Sequence, residues 1–228
     1  MNLLAIETAT RVCSVAITRD GELIAEYRLN LKNIHAERLF GAIGKILSDT
    51  NLQTGDLGAI AVSSGPGSFT GLRIGVAAAK GLAFANDVPL IGIPTLSALA
   101  NQAIGLGEYI CPVLHARATQ IYAALFEREG FNLKKIKPET ILDLVELERF
   151  ILPNTVIFGN GTDKLKQLDI ADKFNFVPDR FGLASASMIA QMAFEKYRKN
   201  EFEDLLSFEP FYLQDFIASK RKRNRVLN

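Results

Sequence analysis

Residues Ser63–Gly75 read Ser-Ser-Gly-Pro-Gly-Ser-Phe-Thr-Gly-Leu-Arg-Ile-Gly, with four glycines and one proline in thirteen positions. The preceding apolar run, Leu57–Val62, is predicted to be a strand, and the alanine-rich run that follows, Leu72–Ala85, is predicted to be a helix. The glycine spacing does not match the dinucleotide fingerprint, and the Gly-Lys-Ser/Thr of a P-loop is missing. The stretch is therefore a strand-to-helix turn that either holds another anion or allows a neighbouring segment to pack very closely.

The spacing of the small residues favours close packing. On the anion interpretation, the first amides of the helix would bind the anion, with Ser68 or Thr70 as the N-cap. On the packing interpretation, the small residues form a ridge, because they recur at every fourth position: Gly67, Gly71, Gly75 and Ala79. A glycine inside a helix costs about 0.5–1 kcal/mol relative to alanine. Two such glycines are explained by a close contact that only they permit.

The two halves of the chain share one order of predicted elements. In the first half, a meander of three strands contains an Asp20-Gly21 hairpin, and an amphipathic helix follows with Asn33 as a possible N-cap. The predicted elements of the first half are strands Leu3–Glu7, Cys13–Thr18, Leu23–Leu29, Leu57–Val62 and Leu90–Ile93, and helices Ala36–Leu47, Leu72–Ala85 and Thr95–Ala103. Those of the second half are strands Tyr109–Leu114, Gln120–Glu127, Phe131–Lys137 and Thr155–Phe158, and helices Ile141–Phe150 and Ala184–Tyr197.

Each half thus reads β-β-β-α-β-α, which predicts an α/β protein of two related lobes, each with a mixed sheet. The boundary falls near residue 104, giving an N-terminal lobe at 1–104 and a C-terminal lobe at 105–228. The last helix is a candidate to return to the N-terminal lobe.

Composition indicates a soluble globular protein. The 228 residues are 48% hydrophobic and 22% charged, and no apolar run approaches the roughly 20 residues that span a bilayer. The N-terminal residues lack the basic region of a secretory signal, so we expect a cytoplasmic protein with no membrane contact. Cys13 and Cys111 both lie in apolar runs, and we expect buried, reduced thiols with no disulfide and no metal cluster.

Charge is distributed unevenly along the chain. The net charge is +1, but Lys220, Arg221, Lys222, Arg223 and Arg225 crowd the tail 220–228, which has no acid. The rest of the chain has 21 bases against 25 acids. Such a tail either contacts RNA phosphates or is a solvated terminus.

A second candidate site lies at the first hairpin. Glu7, Thr8 and Thr10 place an acid and two hydroxyls where nucleotide-binding folds of this element order wrap phosphate. That use favours a glycine whose amide closes on phosphate, but the chain has Ala9 there, so we interpret the site as vestigial. His35 is predicted to start a helix rather than bind a metal, and His115 either faces an interlobe cleft or is a turn residue.

Four runs together resemble the TsaB (YeaZ) family: Leu4–Thr10, Gly65–Gly75, Ala79–Ala83 and Pro94–Ala100. The resemblance is strongest over residues 1–102 and continues more thinly at Ala116-Arg117, Tyr122–Ala124 and Pro210–Leu213. His115 stands where the family usually has Asp, and Gln214 where it usually has Arg.

The resemblance implies the two-lobed actin-like ATPase (ribonuclease H-like) fold and a non-catalytic role. Family members heterodimerise with TsaD, which transfers threonylcarbamoyl to adenosine 37 of tRNAs reading ANN codons, and the ATPase TsaE joins the pair. The resemblance further implies a homodimer when TsaD is absent, contact with tRNA through the complex, no cofactor or metal of the chain's own, and ATP or ADP bound at most weakly or at the complex interface.

In this family the first two helices of the N-terminal lobe form the partner surface. The corresponding interface residues here are Ala36, Leu39, Phe40, Ile43, Leu47, Thr70, Gly71, Arg73, Ile74, Gly75 and Ala78. On this prediction the glycine ridge docks a partner helix. The alternative functions are a stand-alone nucleotide-dependent kinase or a metallohydrolase of the same superfamily, or a protein that binds RNA through its basic tail; for the last, no interleaved aromatics or RNA-binding motif are visible.

Overall fold

A repeated meander of three antiparallel strands organises the computed structural model, which describes residues 1–31 and 35–213, with no description of the side chain of residue 35. The first half contains β1 Asn2–Glu7, β2 Val12–Arg19, β3 Glu22–Asn30, α1 His35–Asp49, β4 Leu57–Gly65, α2 Phe69–Asn86, β5 Leu90–Pro94 and α3 Thr95–Gln102. The second half contains β6 Tyr109–His115, β7 Gln120–Glu129, β8 Asn132–Asp143, α4 Leu147–Phe150, β9 Val156–Phe158, α5 Thr162–Leu165, β10 Asn175–Phe176 and α6 Ala186–Arg198.

Both halves fold into the same five-stranded sheet. The strand order is β3-β2-β1-β4-β5 in the first sheet and β8-β7-β6-β9-β10 in the second. In each sheet the meander strands pair antiparallel, and the last two strands join in parallel. The predicted Asp-Gly hairpin between β2 and β3 is confirmed, because Asp20 and Gly21 both have positive φ, at 51° and 88°. The chain therefore has the predicted two-lobed α/β architecture with mixed sheets.

Helices cover both faces of the first sheet. On the outer face, α1 and α2 bury Leu39, Ile43 and Val76 against apolar side chains of β1, β2 and β4. On the inner face lies α6, whose Ile189 and Ala193 are fully buried. A parallel strand pair needs such cover on both sides, because both of its faces are apolar.

The last helix of each half reaches the other half. Leu96 and Leu99 of α3 pack with residues of β6, β7 and β9, which belong to the second sheet. In the opposite direction, α6 packs on β1, β2, β4 and β5 of the first sheet, and it also contacts α3. The two lobes thus share a core through exchanged helices.

A strap formed by residues 199–213 follows α6 and runs over the first lobe. Glu203 N–H donates to Leu90 O at 2.9 Å, and Phe211 N–H donates to Ser64 O at 2.7 Å. Lys80 Nζ of α2 donates to the carbonyls of Leu206 and Phe208 at 3.2 and 3.0 Å. The strap covers the edge of β5, and the bonds from Lys80 attach the strap to α2. This side of the sheet therefore does not present an open edge.

The second lobe differs most from the sequence prediction. The predicted helix Ile141–Phe150 is wrong in its first part, because Ile141 and Leu142 pair with β7 and lengthen β8 to Asp143. Only Leu147–Phe150 is α-helical there. The short elements α5 and β10 were not predicted, since four and two residues carry too little periodicity.

Candidate functional site

The glycine ridge packs against the hairpin that joins β1 and β2. A Cβ atom added at Gly71 would lie 2.1 Å from the carbonyl oxygen of Thr8, and one at Gly75 would lie 2.1 Å from Thr8 Oγ1. At Gly67 the added atom would lie 2.3 Å from the carbonyl oxygen of Ala9. Non-bonded atoms do not approach so closely, so only glycine fits at these positions. Close packing is thus confirmed, but the segment that packs on the ridge is the chain's own hairpin.

Hydrogen bonds fix the hairpin to the first turn of α2. Ser68 is the N-cap, and its Oγ accepts from Gly71 N–H at 3.2 Å. Ser68 N–H donates to Ala9 O at 2.6 Å, and Thr8 Oγ1 donates to Gly71 O at 2.8 Å. The start of the helix is therefore occupied by groups of the chain itself.

Glu7 is buried at the base of this hairpin, with 1% of its surface exposed. Its Oε1 accepts from Ala9 N–H at 2.7 Å. Burial raises the pKa of the Glu7 carboxyl to about 7, although hydrogen bonds from Ser63 and from the backbone of Ala9 and Thr10 oppose the shift. The amide that would close on a phosphate is engaged by Glu7 instead.

The hairpin does not fit the nucleotide that the fold family implies. Thr8, Ala9 and Thr10 are all buried, at 0%, 1% and 5% exposure. The cavity between the hairpin and the second lobe, lined by Thr10, Arg11 and Asn160 among others, measures about 60 Å³. Sites for small molecules and cofactors are roughly 300–1,000 Å³. The predicted vestigial site residues Glu7, Thr8 and Thr10 are therefore brought together as packing and hydrogen-bonding groups.

The structure divides the predicted interface residues between core and surface. Those on the surface are Ala36, Phe40, Thr70 and Arg73, with Ile74 half-buried. Those in the core are Leu39, Ile43, Leu47, Gly71, Gly75 and Ala78. These six residues are covered within the chain itself, the apolar ones by the sheet and the two glycines by Thr8, and their assignment to a partner interface stays a prediction.

A different set of residues forms the outward surface of the two helices. We define the outer face as Phe40, Gly41, Gly44, Ala77, Gly81 and Phe84, all of which are exposed. Phe40 and Phe84 expose 62% and 76% of their surface. A Cβ atom added at Gly41, Gly44 or Gly81 would meet nothing within 4 Å. These glycines therefore weaken their helices without any close contact inside the chain that requires them.

Sequence reasoning missed most of this face, although a signal was present. Gly41 and Gly44 fall on the polar side of an amphipathic helix, where no internal packing explains a glycine. Ala77 and Gly81 are four residues apart, as are the members of the buried ridge. Ala77, however, lies two residues after Gly75, so the two series are out of step along the helix. Since 3.6 residues make a turn, a shift of two residues moves to the opposite side of α2.

Comparisons with known proteins agree with this architecture. A sequence model of the family described as TsaD, tRNA N6-adenosine threonylcarbamoyltransferase, matches residues 23–220. Proteins named tRNA threonylcarbamoyladenosine biosynthesis protein TsaB are 33% identical over 171 residues in Bacillus subtilis, covering 74% of this chain and 75% of the relative. The relative in Haemophilus influenzae is 30% identical over 235 residues, covering 99% of this chain and 98% of its own length. The chain belongs to the TsaB branch of this family.

The TsaB fold is also that of a solved relative. The structure named YeaZ from Pseudomonas aeruginosa superposes with a TM-score of 0.77 at 24% identity, covering 92% of this chain and all of the other. A second Pseudomonas aeruginosa structure, described as an uncharacterized protein with similarity to peptidase YeaZ, gives 0.79 over 93% of this chain and 99% of its own. The two-lobed fold of the YeaZ structures is thus confirmed for this TsaB chain.

The structure also places the two cysteines of this TsaB chain, which the sequence predicted to be buried thiols. Both cysteines are buried and reduced, and burial raises the pKa of Cys13 to about 11 and that of Cys111 to about 12. Within residues 1–31 and 35–213, no cluster of three or more His, Cys, Asp or Glu side chains could hold a metal ion, and no helix is long and apolar enough to cross a membrane. Asn33, Gln214 and the basic tail lie outside the described residues, as does the side chain of His35.

Proposed function

We propose that the chain is a non-catalytic subunit required for threonylcarbamoylation of adenosine 37 in tRNAs reading ANN codons. It acts by heterodimerising with TsaD, and TsaE joins the pair. Membership of the TsaB family supports the pathway, since the relatives carry that biosynthetic name. The buried hairpin and its small cavity do not fit a nucleotide, which favours a non-catalytic role over a reaction carried out by this chain alone.

The observation that carries the pairing proposal is the outer face of α1 and α2. Two exposed phenylalanines flank glycines that leave the helix backbones accessible. Small residues let another helix approach closely, and exposed aromatic side chains are typical of interface anchors. A helical element of TsaD is the partner that this surface fits. Without TsaD, the same face pairs two copies of the chain.

A pairing assay with matched variants tests the proposal. Phe84→Ser removes an aromatic ring that is 76% exposed, so the fold loses little, whereas burial of such a ring in an interface is worth about 1.5–3 kcal/mol. We expect affinity for TsaD to fall by about 10- to 100-fold. Phe131→Ser is the control, since Phe131 is 97% exposed in the turn between β7 and β8, away from the outer face. Equal affinities of the two variants for TsaD would refute the assignment.

The role in modification is tested by reconstitution. Threonylcarbamoyl transfer to unmodified tRNA is measured with TsaC, TsaD and TsaE, with and without this chain, and the chain is also incubated alone with ATP. We expect transfer only when the chain is added and no ATP turnover by the chain alone. Transfer that ignores the chain, or ATP turnover by the chain unaided, would favour the kinase or hydrolase alternative.

Further parts of the proposal concern ligands and location. ATP or ADP binds at the interface with TsaD rather than in the buried hairpin, and tRNA is contacted through the complex. The reaction on tRNA places the chain in the cytoplasm. Equilibrium dialysis with labelled ATP tests whether the nucleotide binds at the interface with TsaD. If the chain alone retained ATP, and mutation of the outer face did not reduce that retention, the proposal would be contradicted.

A further inference from the structure

A pocket with a mixed polar and aromatic lining lies between the lobes, apart from the outer face and from the hairpin cavity. It measures about 210 Å³ and lies where the start of α2, the end of β6 and the strap meet. Its lining includes Ser68, Phe69, His115, Arg117, Tyr122 and Tyr212. We call it the interlobe pocket. Neither the proposed pairing with TsaD nor the packing of the hairpin gives it a role.

His115 lines this pocket and carries one polar side-chain atom without a hydrogen-bond partner. Its backbone N–H donates to Asn160 Oδ1 at 2.8 Å, which fixes the end of β6. Its Nδ1 atom is buried and has no hydrogen-bond partner. A buried polar atom left without a partner costs about 1–3 kcal/mol, so a ligand that meets this atom gains affinity.

The electrostatic surroundings of His115 are mostly positive. Burial and the nearby charge of Lys164 hold the pKa of the imidazole below its ordinary value, Arg11 acts in the same direction, and Asp163 acts against them. The neutral ring is therefore the main form at neutral pH. An anion placed beside the ring would favour the protonated form, so its binding would take up a proton.

The turn that carries Arg117 is held in a strained conformation. Ala118 has φ of +40°, which is unfavourable for a residue with a Cβ atom. Gln120 N–H donates to Arg117 O at 2.6 Å, and Lys164 Nζ donates to Ala118 O. These bonds maintain the conformation that brings Arg117 to the pocket.

The lining contains donors and aromatic rings but no acidic residue among those that the structure describes. An arginine, an imidazole and two tyrosine hydroxyls donate to oxygen acceptors. The rings of Phe69 and Tyr212 lie 5.1 Å apart and form an apolar wall. We propose that the interlobe pocket binds the oxyanion group, a phosphate or a carboxylate, of a small ligand that carries one flat ring.

Binding of three probes to the isolated chain tests this. Sulfate reports on the oxyanion site with a charge that stays constant between pH 5.5 and 8, and phenyl phosphate and benzoate add a ring to each of the two oxyanions. We expect saturable binding of sulfate by calorimetry, and binding of one ring-bearing probe that is at least tenfold tighter. Whichever of phenyl phosphate and benzoate binds more tightly shows whether the oxyanion of the ligand is a phosphate or a carboxylate. No binding of any probe would overturn the proposal, and equal affinity of all three would overturn the part that concerns the ring.

Variants locate the binding. Arg117→Ala changes an exposed side chain, so the fold is preserved, and we expect at least a tenfold loss of affinity for all probes. Arg149→Ala is the matched control, because this arginine is also exposed but lies in α4, outside the lining of the pocket. Unchanged affinity in Arg117→Ala, or an equal loss in both variants, would overturn the assignment of the pocket.

A pH series supplies a separate readout. Affinity of the unmodified chain for sulfate should rise several-fold as pH falls from 8 to 5.5, because His115 gains its proton, while His115→Gln should show a flat profile. Lys164 and Arg11 are the cations, and Asp163 the acid, whose charges act on the ring. A flat profile of the unmodified chain would overturn the role of His115. The assay uses no TsaD, so its failure leaves the pairing proposal intact.

Discussion

The same substitution at two positions of α2 should change stability in opposite directions. At Gly75 the new Cβ atom of alanine would lie 2.1 Å from Thr8 Oγ1 and 3.5 Å from Val62 Cγ2. At Gly81, six residues later, it would meet nothing within 4 Å. Gly75→Ala and Gly81→Ala thus form a matched pair in one helix.

The magnitude for Gly75→Ala follows from what Thr8 loses. To make room, the hydroxyl leaves Gly71 O, to which it donates at 2.8 Å in a buried site. Loss of a buried hydrogen bond costs about 1–3 kcal/mol, and overpacking costs about 1–3 kcal/mol more. Alanine returns about 0.5–1 kcal/mol through its helix propensity. We expect a net loss of about 1–5 kcal/mol in the free energy of unfolding.

In the monomer, Gly81→Ala gains the helix-propensity term alone, about 0.5–1 kcal/mol. For a chain of this length, 1 kcal/mol corresponds to a shift of about 2–4 °C in Tm. Thermal unfolding followed by circular dichroism, at a concentration where the chain is monomeric, should therefore place Gly75→Ala roughly 2–20 °C below the unmodified chain and Gly81→Ala slightly above it. If both variants moved Tm in the same direction by similar amounts, the packing of the ridge on the hairpin would be refuted.

Three further predictions concern buried ionisable groups and the strap. Because the pKa of Glu7 rises from 4.5 to about 7 on folding, its contribution to stability is greatest below pH 4.5 and falls by about 3 kcal/mol as pH rises to 7. Urea unfolding of Glu7→Gln should lack this pH-dependent loss. If the stability of the variant and of the unmodified chain changed with pH in the same way, the prediction would be contradicted. Cys111, buried with a pKa near 12, should resist a thiol reagent at pH 8 until denaturant is added, and rapid labelling of the native chain would contradict its burial. Lys80→Met should free the strap from α2 and speed proteolysis within residues 199–213. The control, Lys45→Met, loses only an exposed ion pair with Asp49 and should not speed it. Equal rates of proteolysis in the two variants would count against the attachment of the strap by Lys80.

The sequence predicted those features that depend on local patterns. The Asp20-Gly21 turn and the apolar stripe of α1 both follow from residues close together in the chain. Periodicity could show that Gly71 and Gly75 share a helix side, but it could not show which segment covers that side. Thr8 lies more than sixty residues away, so the contact depends on how β1 and β4 pair in the sheet.

The second lobe shows the same limit for strands. Ile141 is compatible with either an amphipathic helix or a strand, and its pairing with Tyr122 of β7 decides between them. The interlobe pocket was still less predictable, since its lining comes from residues 67–69, 115–117, 122 and 212, which no local pattern connects. Only the possibility that His115 faces a cleft was visible beforehand.

The exchange of helices between the lobes has a consequence for synthesis on the ribosome. The inner face of the first sheet presents Leu3, Ala5 and Ile91, and its cover, α6, ends at Arg198. At about 5–20 residues per second, the nascent chain waits roughly 5–20 s between completion of β5 and completion of α6. During that interval the sheet carries an uncovered apolar face. The N-terminal half thus finishes folding only after nearly the whole chain has been translated, and until then its apolar inner face is exposed to aggregation.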